Sequence, residues 1–561
     1  MVSSTRAWTF SQQLWHGAAL VAAVALVWFA AGAVANAQKS PAADVARRVD
    51  ASLAVELHAA DSAEAQRETP IVDDETFLRR ASLDLIGDIP TPEEVTAFVL
   101  DPSSNKREAV VDRLLADKRF GDNWGHYFRD VILYRRSDDR AQLAGPSIQR
   151  YLAEQFNQNT GWDKIARGFI SAKGDVREEG ATGIIMAQMG QPPEVAGEMS
   201  RIFLGVQIQC AQCHDHPTDR WKRTQFHELV AFFPRIAVQP VKGDGEKRSF
   251  AVVSRDREPR VAPKDGKYRG QLEHFMPDLK DPSAKGTEMK PIFFLTGKKL
   301  DLGTPDVQRR ETLADWFTAK SNPWFARAFV NRMWAEMVGR GFYEPIDDLG
   351  PDRTATAPKT LEILSLAFAN HDYDVKWLMR TIAMTNAYQH ISLTRGTNTA
   401  APFAATTPQP LRADQLYDSL RSALAVEDFD VARAERFKGK GGRLQQGARF
   451  EFNRTFGFDP SLPRDDVAAS IPQALLLMNS PMLQRAISAK QASTLLGKLL
   501  TQNMDDREVI GELYLRCLAR EPKPDEVHTC LAYVSAVKNR PEAFEDLLWA
   551  LLNSTEFSQR K

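Results

Sequence analysis

The residues best suited to chemistry are the five from Cys210 to His214, which read Cys-Ala-Gln-Cys-His. This is the spacing at which a c-type haem is attached to a protein. Two thiols take up the vinyl groups of the porphyrin, and the histidine becomes an axial ligand of the iron. Cys210, Cys213 and His214 are therefore predicted to bind haem c. The hypothesis requires an export route and an oxidising compartment.

A second axial ligand for the iron must come from another part of the chain. Met276, followed by Pro277, lies downstream of His214. A Met-Pro pair at that distance resembles the arrangement in small bacterial cytochromes c, so Met276 is the first candidate. The alternatives are His274, His227 and Met199.

A zinc site is another use of the same segment. Cys210, Cys213 and His214 have the spacing of one helical face, and His216 is close enough to complete a tetrahedral Cys₂His₂ set. However, four ligands this close together would crowd a single ion, because structural zinc ligands usually come from two separate segments. Substitute ligands are Asp215, Asp219 and His227.

Two further interpretations of the motif stay open. Cys210 and Cys213 form a Cys-x-x-Cys pair that is able to cycle as a dithiol, although no βαβ pattern surrounds it. Alternatively, they form a local disulfide, while His214 and His216 hydrogen-bond to nearby backbone and carboxylate groups. In that case the motif serves only packing.

The first residues are typical of an export signal. Residues 7–38 contain no charge, 17–34 form an apolar run, and Ala35-Asn36-Ala37 matches the small-x-small cleavage pattern. Residues 1–37 are thus predicted to be a signal peptide, and the protein to be periplasmic or secreted. The alternative is an uncleaved membrane anchor over residues 17–37, since about 18 apolar residues are just able to span a bilayer.

Composition excludes some classes of partner. The 561 residues carry 72 basic and 73 acidic side chains, a formal net charge of −1. This balance predicts no nucleic-acid binding, which usually requires a strongly basic domain. Four cysteines are too few for a disulfide scaffold, so each pair needs its own explanation.

The pattern of apolar residues predicts a mainly α-helical chain. Thr91 to Glu94 has the signature of a helix start, and Asn322-Pro323 begins a helix that ends at Gly339. Another helix is expected to run from about Pro193 into the Cys-x-x-Cys-His motif. The predicted divisions are a helical domain over 41–234, a small β-rich insertion or linker over 235–300, and a second helical domain over 301–561.

Several longer stretches resemble one known family. Phe203–Pro217, with Trp221 and Ala231–Phe233, resembles the planctomycete-type secreted cytochrome-like domain. Five other stretches resemble the C-terminal partner domain that usually follows it: Arg327–Trp334, Gly339–Phe342, Pro345–Gly350, Gln473–Leu475 and Asn479–Pro481. Both domains have unknown activity. The resemblance implies this two-domain architecture, export and an association with redox proteins.

Two other sets of residues are singled out. Cys517 and Cys530 flank a probable turn between helices, so a disulfide is predicted between them, with two buried thiols as the alternative. Two polar clusters have carboxylates that could serve acid–base catalysis or bind calcium. Such clusters more often cap helices and pair with arginines. The first consists of Glu344, Asp347, Asp348 and Asp352 with Arg332 and Arg340, and the second of Asp459, Arg464, Asp465 and Asp466.

The sequence therefore predicts an exported, redox-associated protein with one covalent haem c and an unidentified electron-transfer or surface protein partner. Membrane contact is expected only if the N-terminal segment is uncleaved. The first alternative is a non-haem binding or scaffold protein with a structural Cys/His site. If that site binds a metal, the expected ion is zinc. The second alternative is a metal-dependent extracellular hydrolase.

Overall fold

The computed structural model describes residues 41–58, 69–136, 138–242, 248–256, 272–281, 283–393, 402–429, 447–464, 470–502 and 504–561. These residues are mainly helical, as the sequence predicted, with a few short strands. The predicted signal peptide lies outside the described residues. Among the residues that are described, no helix has the length and apolar character required to cross a membrane.

The helices of the first half of the chain are α1 Pro41–His58, α2 Asp74–Ile86, α3 Pro92–Leu100, α4 Lys106–Ala116, α5 Arg119–Leu133, α6 Gly145–Asn157, α7 Trp162–Ser171, α8 Gly183–Ala187, α9 Pro192–Leu204 and α10 Arg223–Val230. Three short 3₁₀ helices cover Ala141–Ala144, Gly180–Thr182 and Ile208–Gln212.

The helices of the second half are α11 Asp306–Thr318, α12 Pro323–Val338, α13 Pro358–Asn370, α14 Val375–Ala383, α15 Asn386–Gln389, α16 Ala413–Ala423, α17 Ala448–Phe456, α18 Ile471–Asn479, α19 Pro481–Ile487, α20 Leu495–Thr501, α21 Asp506–Leu518, α22 Pro524–Val537, α23 Arg540–Leu552 and α24 Thr555–Ser558.

The strands are β1 Gly174–Asp175, β2 Ile236–Lys242, β3 Arg248–Ser254, β4 His274–Met276, β5 Thr287–Met289, β6 Gln409–Pro410 and β7 Gln559–Arg560. The order β1-β3-β2 forms an antiparallel sheet, and β4 pairs with β5 in an antiparallel ladder that sets Met276 opposite Thr287. Four of these strands fall in the segment for which the sequence predicted a β-rich insertion.

Predicted helix ends are found where the sequence has capping residues. At the start of α3, the Glu94 amide donates to Thr91 Oγ1 (3.2 Å) and the Thr91 amide donates to Glu94 Oε2 (3.0 Å), a capping box. Helix α12 begins after Asn322, whose side chain accepts from the Trp324 amide, and ends at Gly339 with φ +97°. Local side-chain chemistry therefore fixes these ends.

Packing crosses the predicted boundary at residue 300. One hydrophobic core combines residues from Val45 to Phe403 with Ala519, and within it α9 packs against α12. A second core is formed mainly by residues between Leu411 and Phe557. The first helical region and the start of the second therefore share a single interior.

Residues near position 560 complete the surroundings of α2. The guanidinium of Arg79 donates to the carbonyls of Phe557 and Gln559 (both 2.9 Å), and Arg80 donates to that of Lys561 (2.8 Å). Arg560, only 1 % exposed, pairs with Asp84 of α2 at 2.7 Å. Two segments separated by more than 470 positions thus form one buried polar unit.

Candidate functional site

The Cys-x-x-Cys-His segment is a separate turn rather than the end of a long helix. The prediction of one helix running from Pro193 into the motif is wrong, because α9 ends at Leu204 and Gly205 follows in the left-handed conformation (φ +63°). A Cβ atom at position 205 would lie 2.7 Å from Leu349 Cδ1, so both the backbone angle and the space favour glycine. The motif then begins in the 3₁₀ helix 208–212.

This turn is anchored by its apolar residues and exposes its reactive ones. Ile208 and Ala211 are fully buried in the main core. Cys210 and Cys213 are exposed and are free thiols, and His214 is exposed as well. The three predicted haem-binding side chains therefore lie at the surface, while Ile208 and Ala211 anchor the backbone of the turn in the core.

The hydrogen bond of His214 determines its tautomer. Its Nδ1 lies 2.7 Å from the carbonyl oxygen of Asp215. A carbonyl only accepts, so Nδ1 carries the proton and Nε2 keeps its lone pair. This is the state that an imidazole needs in order to bind a metal through Nε2.

His216, the predicted fourth zinc ligand, is oriented differently. Its Nδ1 accepts a hydrogen bond from the Thr218 amide (3.3 Å), and its own amide donates to the Trp221 carbonyl (2.8 Å). Within the described ranges, no group of three or more histidine, cysteine, aspartate or glutamate side chains is arranged to hold a metal ion.

The substitute zinc ligands also have other partners. Asp215 accepts from the Arg223 amide (3.0 Å) and pairs with Lys222 (3.0 Å). Asp219 packs against Gly350 so closely that a Cβ there would lie 1.5 Å from Asp219 Oδ2. These contacts make the two carboxylates part of the loop structure.

The candidates for a second axial ligand lie in different surroundings. Met199 is fully buried in α9, within the main core. His227, on α10, is 2 % exposed; its Nε2 donates to the Gln212 carbonyl (3.1 Å), so its Nδ1 is left to accept from His274 Nε2 (2.8 Å). Met276 is half-buried, two residues after His274 on β4. His274 and Met276 are both partly exposed, and His274 is connected to the turn through His227.

The paired imidazoles are neutral near pH 7. Burial lowers the pKa of His227 to about 4. Burial also lowers the pKa of His274 to about 3, and the adjacent His227 acts in the same direction. At neutral pH, His227 and His274 therefore keep the tautomers deduced from their hydrogen bonds.

The loop over residues 345–353 contacts the Cys-x-x-Cys-His segment. The Leu349 amide donates to the Gly205 carbonyl (2.8 Å), and Arg220 pairs with Asp352 (2.6 Å). Arg353 reaches both Asp348 (2.9 Å) and Thr218 Oγ1 (3.2 Å). Two stretches that lie far apart in the sequence therefore form one surface.

Asp347 is the most buried carboxylate of the predicted polar cluster, and it is surrounded by arginine side chains. It is paired with Arg332 on one oxygen and with Arg201 (2.6 Å) on the other. Burial alone would raise the pKa of Asp347, but the two guanidinium groups outweigh it and lower the pKa to about 2. A carboxylate held so firmly in its ionised form is poorly suited to carry a proton in catalysis.

Arg201 extends this network to further segments. It donates to Glu198 (2.7 Å), to Ser461 Oγ (3.0 Å) and to the Val131 carbonyl (2.9 Å). Sequence reasoning missed Glu198 and Arg201, although their i, i+3 spacing inside an otherwise apolar helix was a visible signal. The remaining predicted polar residues pair as Arg340–Glu344, Arg135–Asp459 and Glu336–Arg464, whereas Asp465 and Asp466 lie outside the described residues.

Cys517 and Cys530 remain a predicted disulfide. The structure has both as free, buried thiols: burial raises the pKa of Cys517 to about 12, and Cys530 Sγ lies 4.0 Å from Tyr514 Oη. If the bond forms, it closes a short loop and should stabilise the fold by about 3 kcal/mol. Thiol titration of the denatured, unreduced protein should then detect neither sulfur. Detection of both would establish two buried thiols instead.

Comparison with known families identifies two domains. Residues 48–238 match the family described as PSCyt2, protein of unknown function (DUF1549), and residues 309–431 match PSD1, protein of unknown function (DUF1553). The Cys-x-x-Cys-His turn lies in the first match and the 345–353 loop in the second. No curated protein and no solved structure matches the chain.

Proposed function

We propose that this protein, which contains a PSCyt2 domain followed by a PSD1 domain, is an exported redox-associated protein carrying one c-type haem at Cys210, Cys213 and His214. A bound haem would supply one-electron transfer. The exported location follows from the sequence pattern of residues 1–37.

One observation carries this proposal, namely the state of the three side chains on the exposed turn. Cys210 and Cys213 are accessible free thiols, as covalent attachment requires. The bond from His214 Nδ1 to the Asp215 carbonyl leaves Nε2 available to an iron atom. The buried Ile208 and Ala211 anchor the backbone of the turn in the main core, so attachment would involve only side chains that lie at its surface.

The surface position of the turn also suits electron exchange. A haem attached to exposed side chains keeps an edge near solvent, where a partner protein is able to approach it. The loop at 345–353 borders this surface, so the PSD1 domain would contribute to the contact.

The experiment is expression in a host that exports and matures c-type cytochromes. We expect a Soret absorption band and the mass of one covalently attached haem in the purified protein. Cys210→Ser combined with Cys213→Ser should remove both signals, because no thiol then remains for attachment. Cys530→Ser is the matched control, since that cysteine is buried in the other core, and it should keep the haem. A colourless wild-type protein with free or bridged cysteines would contradict the proposal.

The alternative function is a non-haem scaffold protein in which the motif is structural. It is favoured by the buried contacts between the two domains, above all the Arg201–Asp347 ion pair. In that case elemental analysis and mass spectrometry should find neither haem nor stoichiometric zinc, and Cys210→Ser should leave the metal content unchanged.

A further inference from the structure

Helix α10 lies between the Cys-x-x-Cys-His turn and strand β4 and contacts both. Arg223, its first residue, makes three hydrogen bonds that connect them. Its amide donates to Asp215 Oδ1 (3.0 Å), its Nε to the Gln212 carbonyl (3.3 Å) and its Nη2 to the Pro277 carbonyl (2.6 Å). One side chain therefore ties the residue after Met276 to the middle of the motif.

A second connection runs through the two histidines. His274 Nε2 donates to His227 Nδ1, and His227 Nε2 donates to the same Gln212 carbonyl that Arg223 reaches. The rings stack with their centroids 5.1 Å apart. Strand β4 is thus held on both sides of Met276, at His274 and at Pro277, and both connections end at one oxygen between Cys210 and Cys213.

The alternation of a β-strand places Met276 on the same face as His274. Since His274 faces His227 and the turn, Met276 is directed to that side as well. Its thioether takes part in no hydrogen bond among the described residues. Both nitrogens of His227, by contrast, are already engaged.

We infer that Arg223 and His227 are positioning residues that hold strand β4 against the Cys-x-x-Cys-His turn, so that the Met276 thioether would be available as a further ligand to a bound haem. This inference rests on the haem attachment proposed above. Helix α10 then has a specific role, because it sets the distance between two ligands that come from distant parts of the sequence. Neither residue would bind the iron itself, because the described bonds of both go to backbone carbonyls and to His274.

The first test uses haem-free protein, so that it does not depend on haem uptake. Arg223→Ala should increase hydrogen–deuterium exchange of the amides of residues 274–276 roughly tenfold, because two side-chain hydrogen bonds of a charged group are lost. Arg220→Ala is the matched control: Arg220 is exposed, and its side chain bonds to Asp352 and to the Pro351 carbonyl. Equal exchange in the two variants would overturn the positioning role.

The second test uses haem-loaded protein. Arg223→Ala and His227→Ala should keep the covalent haem, since the thiols and His214 are untouched. Both should lose the charge-transfer absorption of methionine-ligated ferric haem and shift the reduction potential downward, as Met276→Ala should. Arg223→Lys should retain part of the signal because lysine is able to reach one of the two carbonyls. Arg220→Ala should behave like the wild type.

The outcomes separate this inference from the haem assignment. If the wild type binds haem and Arg223→Ala keeps full methionine ligation and potential, the inference is wrong and the haem assignment stands. If the wild type takes up no haem, the ligand role of Met276 is overturned together with the proposed function. Faster exchange confined to Arg223→Ala would in that case still establish that Arg223 positions β4.

Discussion

Asp347→Ala should lower the free energy of unfolding by about 3–5 kcal/mol. The carboxylate is 3 % exposed and neutralises Arg332 and Arg201, whose side chains are 2 % and 5 % exposed. Without it, two guanidinium groups stay buried with less compensation, and the cost of removing them from water is no longer offset. Chemical denaturation followed by circular dichroism should measure the loss.

Neighbouring Asp348 is the matched control for this variant. Its ion pair with Arg353 is partly exposed, with side chains 16 % and 34 % accessible. Asp348→Ala should therefore cost less than about 1 kcal/mol, as exposed pairs usually do. Addition of Arg332→Met to Asp347→Ala should restore part of the stability, because it removes one of the uncompensated charges. Equal effects of the two aspartate variants would contradict this account.

The stabilisation by Asp347 should also depend on pH in a defined direction. Its pKa falls from 3.8 to about 2 on folding, because Arg332 and Arg201 outweigh the effect of burial. A lowered pKa gives stability that is fully present above about pH 4 and is lost as the pH falls through about 2. The difference between wild type and Asp347→Ala should be constant from pH 5 to 8 and shrink in stronger acid.

Asp306→Ala should have a comparable effect, about 3–5 kcal/mol, at the start of the second helical region. Asp306 and Arg310 are both 0 % exposed and pair at 2.7 Å. The same carboxylate accepts from Ser254 Oγ of β3 (2.5 Å), and Arg310 also donates to the Ala172 carbonyl after α7 (2.6 Å). The substitution therefore loosens the join between the β-rich segment, α7 and α11.

An exposed ion pair between the same two helices gives the control. Arg167 of α7 and Asp315 of α11 pair at 2.5 Å, with side chains 44 % and 59 % exposed. Water already solvates both groups, so Asp315→Ala should cost less than about 1 kcal/mol. Thermal unfolding of the two variants side by side measures the difference. A loss for Asp315→Ala as large as that for Asp306→Ala would mean that burial does not set the cost.

The sequence predicted those features that local chemistry controls. The capping residues Thr91 and Asn322 and the stop at Gly339 were visible because each acts within a few positions of itself. The mainly helical content and the short strands between 235 and 300 follow from apolar periodicity in the same way. The two domains were recognised from extended motifs rather than from physical reasoning.

Contacts between residues far apart in the sequence could not be predicted from local patterns. The pattern predicts that charges lie at the surface, yet Arg201 and Asp347 are buried because they meet across two domains. The long helix predicted into the motif failed for a related reason. The apolar residues Val206 and Ile208 continue the helical pattern past Gly205, but they are buried as part of a turn, and Leu349 leaves no room for a side chain at that glycine.

The bonds from α2 to residues 557–561 bear on the order in which the molecule is completed. A chain that emerges from its N-terminal end makes Arg79, Arg80 and Asp84 more than 470 residues before the partners that they have among residues 557–561. During that interval Arg79 has none of its native carbonyl acceptors, and Arg80 gains those of Tyr388 and His390 only when these residues have been made, so helix α2 must remain partly hydrated. Contacts of such long sequence separation form late and slowly, since the intervening loop must close first. Helix α2 therefore gains its complete set of buried hydrogen bonds late in synthesis, and until then its apolar face is open to chaperones and proteases.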